Sequence, residues 1–103
     1  MYKLNFFVPV ENKEDVKQAL FDIGAGKHEN YDMCAFESTG RGQFRPLDKA
    51  NPHLGKNNIL EYVEEYKVEM ICDDSIIKRA IETLKKAHPY EEVAYEVIKM
   101  EIF

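Results

Sequence analysis

Apolar residues recur at helical spacing in two separate segments of the chain, and each segment stands between runs that alternate like β-strands. Val16, Ala19, Leu20 and Ile23 follow the i, i+3, i+4, i+7 pattern, and residues 77–84 repeat it. A helix of this kind must bury its apolar stripe against another element. Both helices are therefore predicted to cover the same face of a single sheet.

Four strand-like runs surround these helices. They are predicted at Tyr2–Val10, Tyr31–Ser38, Ile59–Cys72 and Val93–Phe103. The order strand, helix, strand, strand, helix, strand predicts an α+β, ferredoxin-like β-α-β-β-α-β fold. Its four-stranded antiparallel sheet would carry both helices on one face. A fold of this kind does not by itself indicate a function.

Composition limits the class of protein. The chain has 103 residues, 45% of them hydrophobic and 32% charged, with a net charge of −5. These values predict one soluble domain spanning residues 1–103. Nucleic-acid binding is not expected, because phosphate contacts require clustered cations. Neither a membrane span nor a signal peptide is predicted, so we expect a cytoplasmic protein with free thiols at Cys34 and Cys72.

A first candidate site follows the second helix. Residues 88–92 read His-Pro-Tyr-Glu-Glu, which places a histidine, a phenol and two carboxylates within five residues. His88, Tyr90 and Glu91 are predicted to contact a ligand. The alternative is architectural, because a histidine is favoured at a helix C-terminus and proline ends the helix.

A second candidate site lies in the long segment from Gly40 to Asn58, which is predicted to form a loop and short hairpin arm. Segments of this length inside a small domain are often functional. Arg41, Phe44, Arg45 and His53 are predicted to line a cleft between subunits together with residues 88–91. The alternative is a twisted hairpin whose arginines face water.

The sequence supports a metal site less strongly than the two candidate ligand sites. His53, His88 and Glu91 are the candidate ligands for a divalent cation, but no histidine or cysteine pair has the spacing of a structural zinc site. No nucleophile motif is present. The glutamates at positions 61, 65 and 69 are predicted to form a solvated sheet edge and not a general acid–base pair.

An ordered set of short motifs runs through almost the whole chain. It comprises Val8-Pro9, Gly24-Ala25-Gly26, Asn30-Tyr31, Cys34, residues 40–46, Asn51-Pro52, Leu54-Gly55, residues 63–65 and residues 88–92. This set resembles the domain inserted in the middle of the bacterial Nif-three-like, YqfO-type dimetal proteins. The segment at residues 88–91 also resembles the end of the second helix in the CutA, divalent-cation-tolerance family. Both families are placed with the PII-like trimers.

The resemblance implies a homotrimer assembled through sheet edges and hairpin arms, with a cleft between subunits that holds a small ligand or a divalent cation. It does not imply hydrolase activity, because the metal ligands of the full-length family lie in flanking halves outside this domain. The sequence therefore predicts a trimeric binding or regulatory module that is not an enzyme. A structural oligomerisation or protein-interaction domain is the main alternative, and a metal-dependent hydrolase is the weaker one.

Overall fold

A computed structural model describes residues 1–103. Its elements are β1 (Tyr2–Pro9), a 3₁₀ turn (Val10–Asn12), α1 (Lys13–Asp22), β2 (Phe36–Phe44), β3 (Glu61–Cys72), α2 (Ile77–Ala87) and β4 (Tyr95–Lys99). This is the predicted order of strands and helices, and the predicted fold class is confirmed. Neither helix is long and apolar enough to cross a membrane.

The sheet has the strand order β2-β3-β1-β4, and every neighbouring pair is antiparallel. β1 therefore lies in the interior of the sheet. It pairs with β3 along its whole length but with β4 only from Tyr2 to Phe6. Because β4 begins at Tyr95, Phe7 lies just beyond the last residue pair of the β1–β4 ladder.

The core lies between the sheet and the two helices. Alternate residues of a strand point to the same face, so β1 and β3 each supply one row of buried side chains. Both helices contribute the apolar stripes predicted from their spacing. The buried set is Leu4, Phe6, Val8, Val16, Leu20, Ala25, Val68, Met70, Cys72, Ile77, Ala80 and Leu84.

The second strand differs from its prediction. It was expected to end at Ser38 before a glycine-rich loop, but β2 continues through Gly40, Arg41 and Gly42 to Phe44 and pairs with β3 as far as Glu61. Neither of these glycines has a positive φ, so they do not form a turn. A glycine inside a strand often marks a close approach by another group, and this is the case at Gly42.

Two other predicted strand segments are not strands. Residues 31–35 lack strand pairing apart from an isolated bridge between His28 and Tyr31, and Met33 has a left-handed φ of 53° that no regular strand accommodates. The last strand is shorter than expected, ending at Lys99 and not at Phe103. Pattern alternation predicted the order of the elements correctly, but it began β2 too early and ended it too early, and it extended β4 at both ends beyond the residues that find a pairing partner.

We expect Phe6→Ala to destabilise the domain by about 3–5 kcal/mol, because the Phe6 side chain is fully buried between sheet and helices. Phe103→Ala is the matched control, since Phe103 is fully exposed and should change the free energy of unfolding by less than about 0.5 kcal/mol. Urea unfolding of both variants measures the difference. Similar losses in the two variants would contradict this placement of the core.

Candidate functional site

The chain forms a cleft of about 750 Å³ where the segment after β2 folds back over one end of the sheet. The walls come from β1, the end of β2, the loop that follows it, β3 and the segment after α2. Residues lining it include Phe7, Gly42, Phe44, Arg45, Lys49, Pro52, His53, Glu65, Tyr90, Glu91, Glu92 and Ala94. Five of the predicted ligand residues (Phe44, Arg45, His53, Tyr90 and Glu91) thus meet within one chain.

His88 lies beneath the cleft and does not line it. Its ring is buried, its Nε2 donates to the Phe7 carbonyl at 2.7 Å, and its Nδ1 accepts from the Tyr90 backbone N–H at 3.1 Å. These partners require the neutral tautomer with the proton on Nε2. Burial is the main cause that lowers the pKa of His88, and the nearby His53 acts in the same direction. His88 therefore acts as a fixed, uncharged link.

Tyr90 is the centre of an aromatic cluster. Its ring centroid lies 4.9 Å from that of His88 in an edge-on contact, and 6.1 Å from those of both Phe44 and His53. Aromatic pairs at these separations are mutually attractive. The cluster joins the end of β2, the loop and the segment after α2 into one wall of the cleft.

Hydrogen bonds hold the loop in place. The Asn51 backbone N–H donates to Glu91 Oε1 at 2.9 Å, which ties the loop to the segment after α2. The Asn57 amide bonds the carbonyls of Asp48 and Ala50, and the Asn58 amide bonds the Asp48 carboxylate at 2.6 Å. The predicted arm is thus folded against its own chain.

The floor of the cleft holds Glu65, which had been predicted to be solvated. Its side chain lies across Gly42, where an added Cβ would come within 2.9 Å of the Glu65 Cδ. The residue is half-buried, and this burial raises the pKa of its carboxyl. The absence of a side chain at Gly42 is therefore what admits this carboxylate to the cleft.

The Tyr90 hydroxyl is buried and faces the Glu65 carboxylate as its hydrogen-bond acceptor, although the pair falls outside strict hydrogen-bond geometry. Burial and, secondly, the negative charge of nearby Glu65 raise the pKa of Tyr90 to about 12. The cleft thus contains a phenol donor beside a half-buried carboxylate.

Arg41 lies apart from the cleft. It is separated by one residue position from Gly42 and so points to the opposite face of β2. Its guanidinium stacks on the Tyr62 ring at 4.5 Å from the centroid. The structure does not bring Arg41 together with the other predicted ligand residues.

The proposed metal ligands were His53, His88 and Glu91. No group of three histidine, cysteine, aspartate or glutamate side chains in the chain is placed to hold a metal ion. Both ring nitrogens of His88 are already engaged, and Glu91 accepts from the loop backbone. A divalent cation does not fit these three residues within one chain.

Sequence reasoning missed Gly42 and Glu65 as a pair. The signal lies in the register: Gly40 is opposite Glu65 in the β2–β3 ladder, which places Gly42 one diagonal step away. That register was invisible because the glycines were interpreted as a loop. Lys49 and Phe7, also in the lining, had no distinguishing pattern.

The fold of this chain is that of the CutA and PII-like proteins. The divalent cation tolerance protein CutA of Archaeoglobus fulgidus matches it with a TM-score of 0.71 at 14% identity, covering all of this chain and 87% of that one. The PII-like protein CutA of Nostoc sp. PCC 7120 matches with a TM-score of 0.71 at 16% identity, covering 98% and 82%. Identities this low show the fold alone.

The sequence relationship is more specific. The chain is 44% identical over 99 residues to the GTP cyclohydrolase 1 type 2 homolog of Bacillus subtilis (strain 168), covering 96% of this chain but 26% of the relative. A Bacillus cereus protein related to NIF3 matches with a TM-score of 0.84 at 40% identity, covering 98% and 26%. No protein-family profile matches the chain.

The predicted resemblance to the Nif-three-like family is confirmed: nearly the whole chain corresponds to a domain-sized segment of NIF3-related proteins. The chain spans about a quarter of the length of the curated relatives that it matches. The name of those relatives describes the full-length proteins.

We expect acidification to weaken the fold through His88. The unfolded chain binds a proton at this residue near pH 6.5, whereas the folded chain resists protonation because burial lowers the pKa of His88. Stability should therefore fall as the pH drops below about 6.5. In His88→Gln, the slope of the unfolding free energy against pH should decrease by up to about 1.4 kcal/mol per pH unit.

His28→Gln is the control for the removal of a histidine, because His28 is exposed and lies outside the core. Urea unfolding at several pH values between 7.5 and 5.5 measures both slopes. Equal slopes in the His88 variant and the parent protein would show that His88 is protonated in the folded state as readily as in the unfolded chain.

Proposed function

We propose that this chain is a non-catalytic module that binds a small ligand in the cleft between the loop and residues 90–94. The observation that carries the proposal is the convergence of Phe44, His53 and Tyr90 on a cleft of about 750 Å³, with charged side chains at its floor and rim. Ligand sites in proteins are concave, lined by aromatic groups and equipped with a few polar ones.

Regulation or sequestration by binding is consistent with the CutA and PII-like fold and with the NIF3-related sequence. The absence of catalysis is part of the proposal. It is supported by His88, whose two ring nitrogens both have partners, and by Cys72, whose burial raises its pKa to about 11. Neither side chain is available as a general base or nucleophile.

A structural role in assembly is the second candidate, and the sheet face opposite the helices favours it. Asn5 lies in the middle of that face with a buried side-chain oxygen that lacks a partner, and Phe36 and Ile98 expose apolar surface there. Edge strands such as β2 and β4 are commonly covered in natural proteins. A homotrimer remains our proposal for what covers them.

Light scattering tests the assembly. We expect a mass three times that of the 12.0 kDa chain at micromolar concentration. The same mass is expected for Phe44→Ala, because Phe44 lines the cleft. A monomer mass for the parent chain would contradict the homotrimer.

Nitrogen–proton correlation spectra test the ligand site. In a titration with a panel of small cations, anions and neutral compounds, we expect at least one compound to shift the signals of the loop and of residues 90–94. Phe44→Ala should weaken that binding about tenfold or more, because it removes one aromatic wall.

Phe36→Ala is the matched control for this titration. Phe36 and Phe44 begin and end the same strand, but Phe36 is outside the cleft, and its variant should bind as the parent chain does. If no compound in any charge class shifts the cleft signals, the cleft is a packing feature and the proposal is wrong.

A further inference from the structure

The carboxylate on the floor of the cleft has no cationic partner. Six ion pairs form in the chain, and Glu65 belongs to none of them. Other acidic residues on the same strand do find partners: Glu69, for example, pairs with Lys3 at 2.9 Å. A half-buried carboxylate without a compensating charge is unfavourable, and its burial raises the pKa of Glu65.

Aromatic surfaces line the same cleft. Phe7, Phe44 and Tyr90 are all lining residues, and the Phe44 and Tyr90 rings are inclined at 54° to each other. The face of such a ring carries partial negative charge and attracts a cation. The chain already uses this interaction elsewhere, with Lys13 Nζ 3.8 Å from the centroid of the Tyr66 ring.

We propose that the cleft binds a small organic cation, with its ammonium or guanidinium group at the Glu65 carboxylate and its carbon skeleton against the Phe44 and Tyr90 rings. This inference rests on the proposed function and specifies its ligand class. A cation at this position would neutralise the half-buried charge of Glu65, which the Tyr90 hydroxyl faces within the same cleft.

A metal ion suits the cleft less well than an organic cation. Divalent metals require several converging ligands, and no three suitable side chains converge here. An ammonium or guanidinium group needs one carboxylate and gains further from aromatic faces. Arg45 and Lys49 lie at the exposed rim, where solvent screens their repulsion of a cation bound at the floor.

The rim also separates two kinds of organic cation. Arg45 and Lys49 would attract a carboxylate at the far end of the ligand. Agmatine and arginine share the guanidinium group, but only arginine carries the α-carboxylate. We expect arginine to bind more tightly than agmatine, and weaker binding of arginine would contradict this role of the rim.

Calorimetric titration with agmatine, arginine, cadaverine and choline tests the proposal, with butyrate as the anionic control. We expect saturable binding of at least one of the four compounds that carry an ammonium or guanidinium group, and we expect no binding of butyrate. Glu65→Gln should weaken it about tenfold to a hundredfold, because the variant keeps the side-chain volume and removes the charge. Glu64→Gln is the control, since Glu64 is exposed and lies on the opposite strand face.

A second pair of variants moves the carboxylate without changing its charge. In Gly42→Ala the new methyl group would occupy the space of the Glu65 side chain, whereas nothing lies within 4 Å of a Cβ added at Gly40. We therefore expect Gly42→Ala to weaken cation binding about tenfold or more and Gly40→Ala to leave it unchanged. Circular dichroism and thermal melting confirm that each variant remains folded.

Thermal melting also separates a binding role from a structural one. Glu65→Gln should melt at the same temperature as the parent chain or higher, because the variant removes a half-buried charge that no cation compensates and keeps a side-chain acceptor for Tyr90. Lost binding with retained stability supports the proposal. Unchanged binding in Glu65→Gln, or binding of butyrate in preference to every cation, overturns the ligand class while leaving the proposed function intact. No binding by any compound, including the wider panel, overturns both.

Discussion

The hydrogen bond from the buried His88 ring to the Phe7 carbonyl is the interaction on which the cleft depends. In an antiparallel strand the N–H and C=O of one residue point to the same neighbour. At Phe7 the N–H reaches the Ala94 carbonyl, and the imidazole supplies the donor for its C=O at the end of the β1–β4 ladder. The ring thereby links the end of α2 to β1, an interior strand of the sheet, and sets the position of Tyr90. His88 thus makes structural contacts, and Tyr90 and Glu91 line the cleft, while ligand contact by this segment stays a prediction.

The hydrogen bond of His88 stabilises the fold, whereas Glu65 lies at a position where stability alone would not place an acidic residue. Gly42 has no side chain to pack and a low strand propensity. The Glu65 carboxylate that occupies the space above it is half-buried without a counter-ion. Each feature is unfavourable by itself, and both occur at the same point of the cleft. Local violations of folding rules concentrate at functional sites, where the unfavourable group meets a ligand. This coincidence distinguishes Glu65 from the other glutamates of β3.

Most of the fold was predictable because the strongest signals are local. The helical stripes at residues 16–23 and 77–84 and the alternation in β1 and β3 each determine which face is buried. The end of β2 was not predictable in the same way, because two glycines in a short span are typical of turns and only pairing with β3 makes them strand residues. The meeting of residues 44–53 with residues 88–91 was predicted between subunits, and the sequence did not indicate that these segments also meet within one chain. The identity of Glu65 as the floor required the register of the two strands.

The closure of the cleft within one chain changes the relation between binding and assembly. A site built from two subunits would bind its ligand only in the oligomer, and its affinity would depend on protein concentration. Here Phe44, His53 and Tyr90 are brought together by contacts inside the chain, so these three side chains form a wall of the cleft without a second subunit. The features that favour assembly, including the unpartnered Asn5 oxygen and the exposed Phe36, lie elsewhere on the sheet. Binding can then influence assembly through the strands that carry residues of both regions. β1 holds Asn5 and, two residues later, the Phe7 carbonyl bound by His88, and β2 holds Phe36 and Phe44.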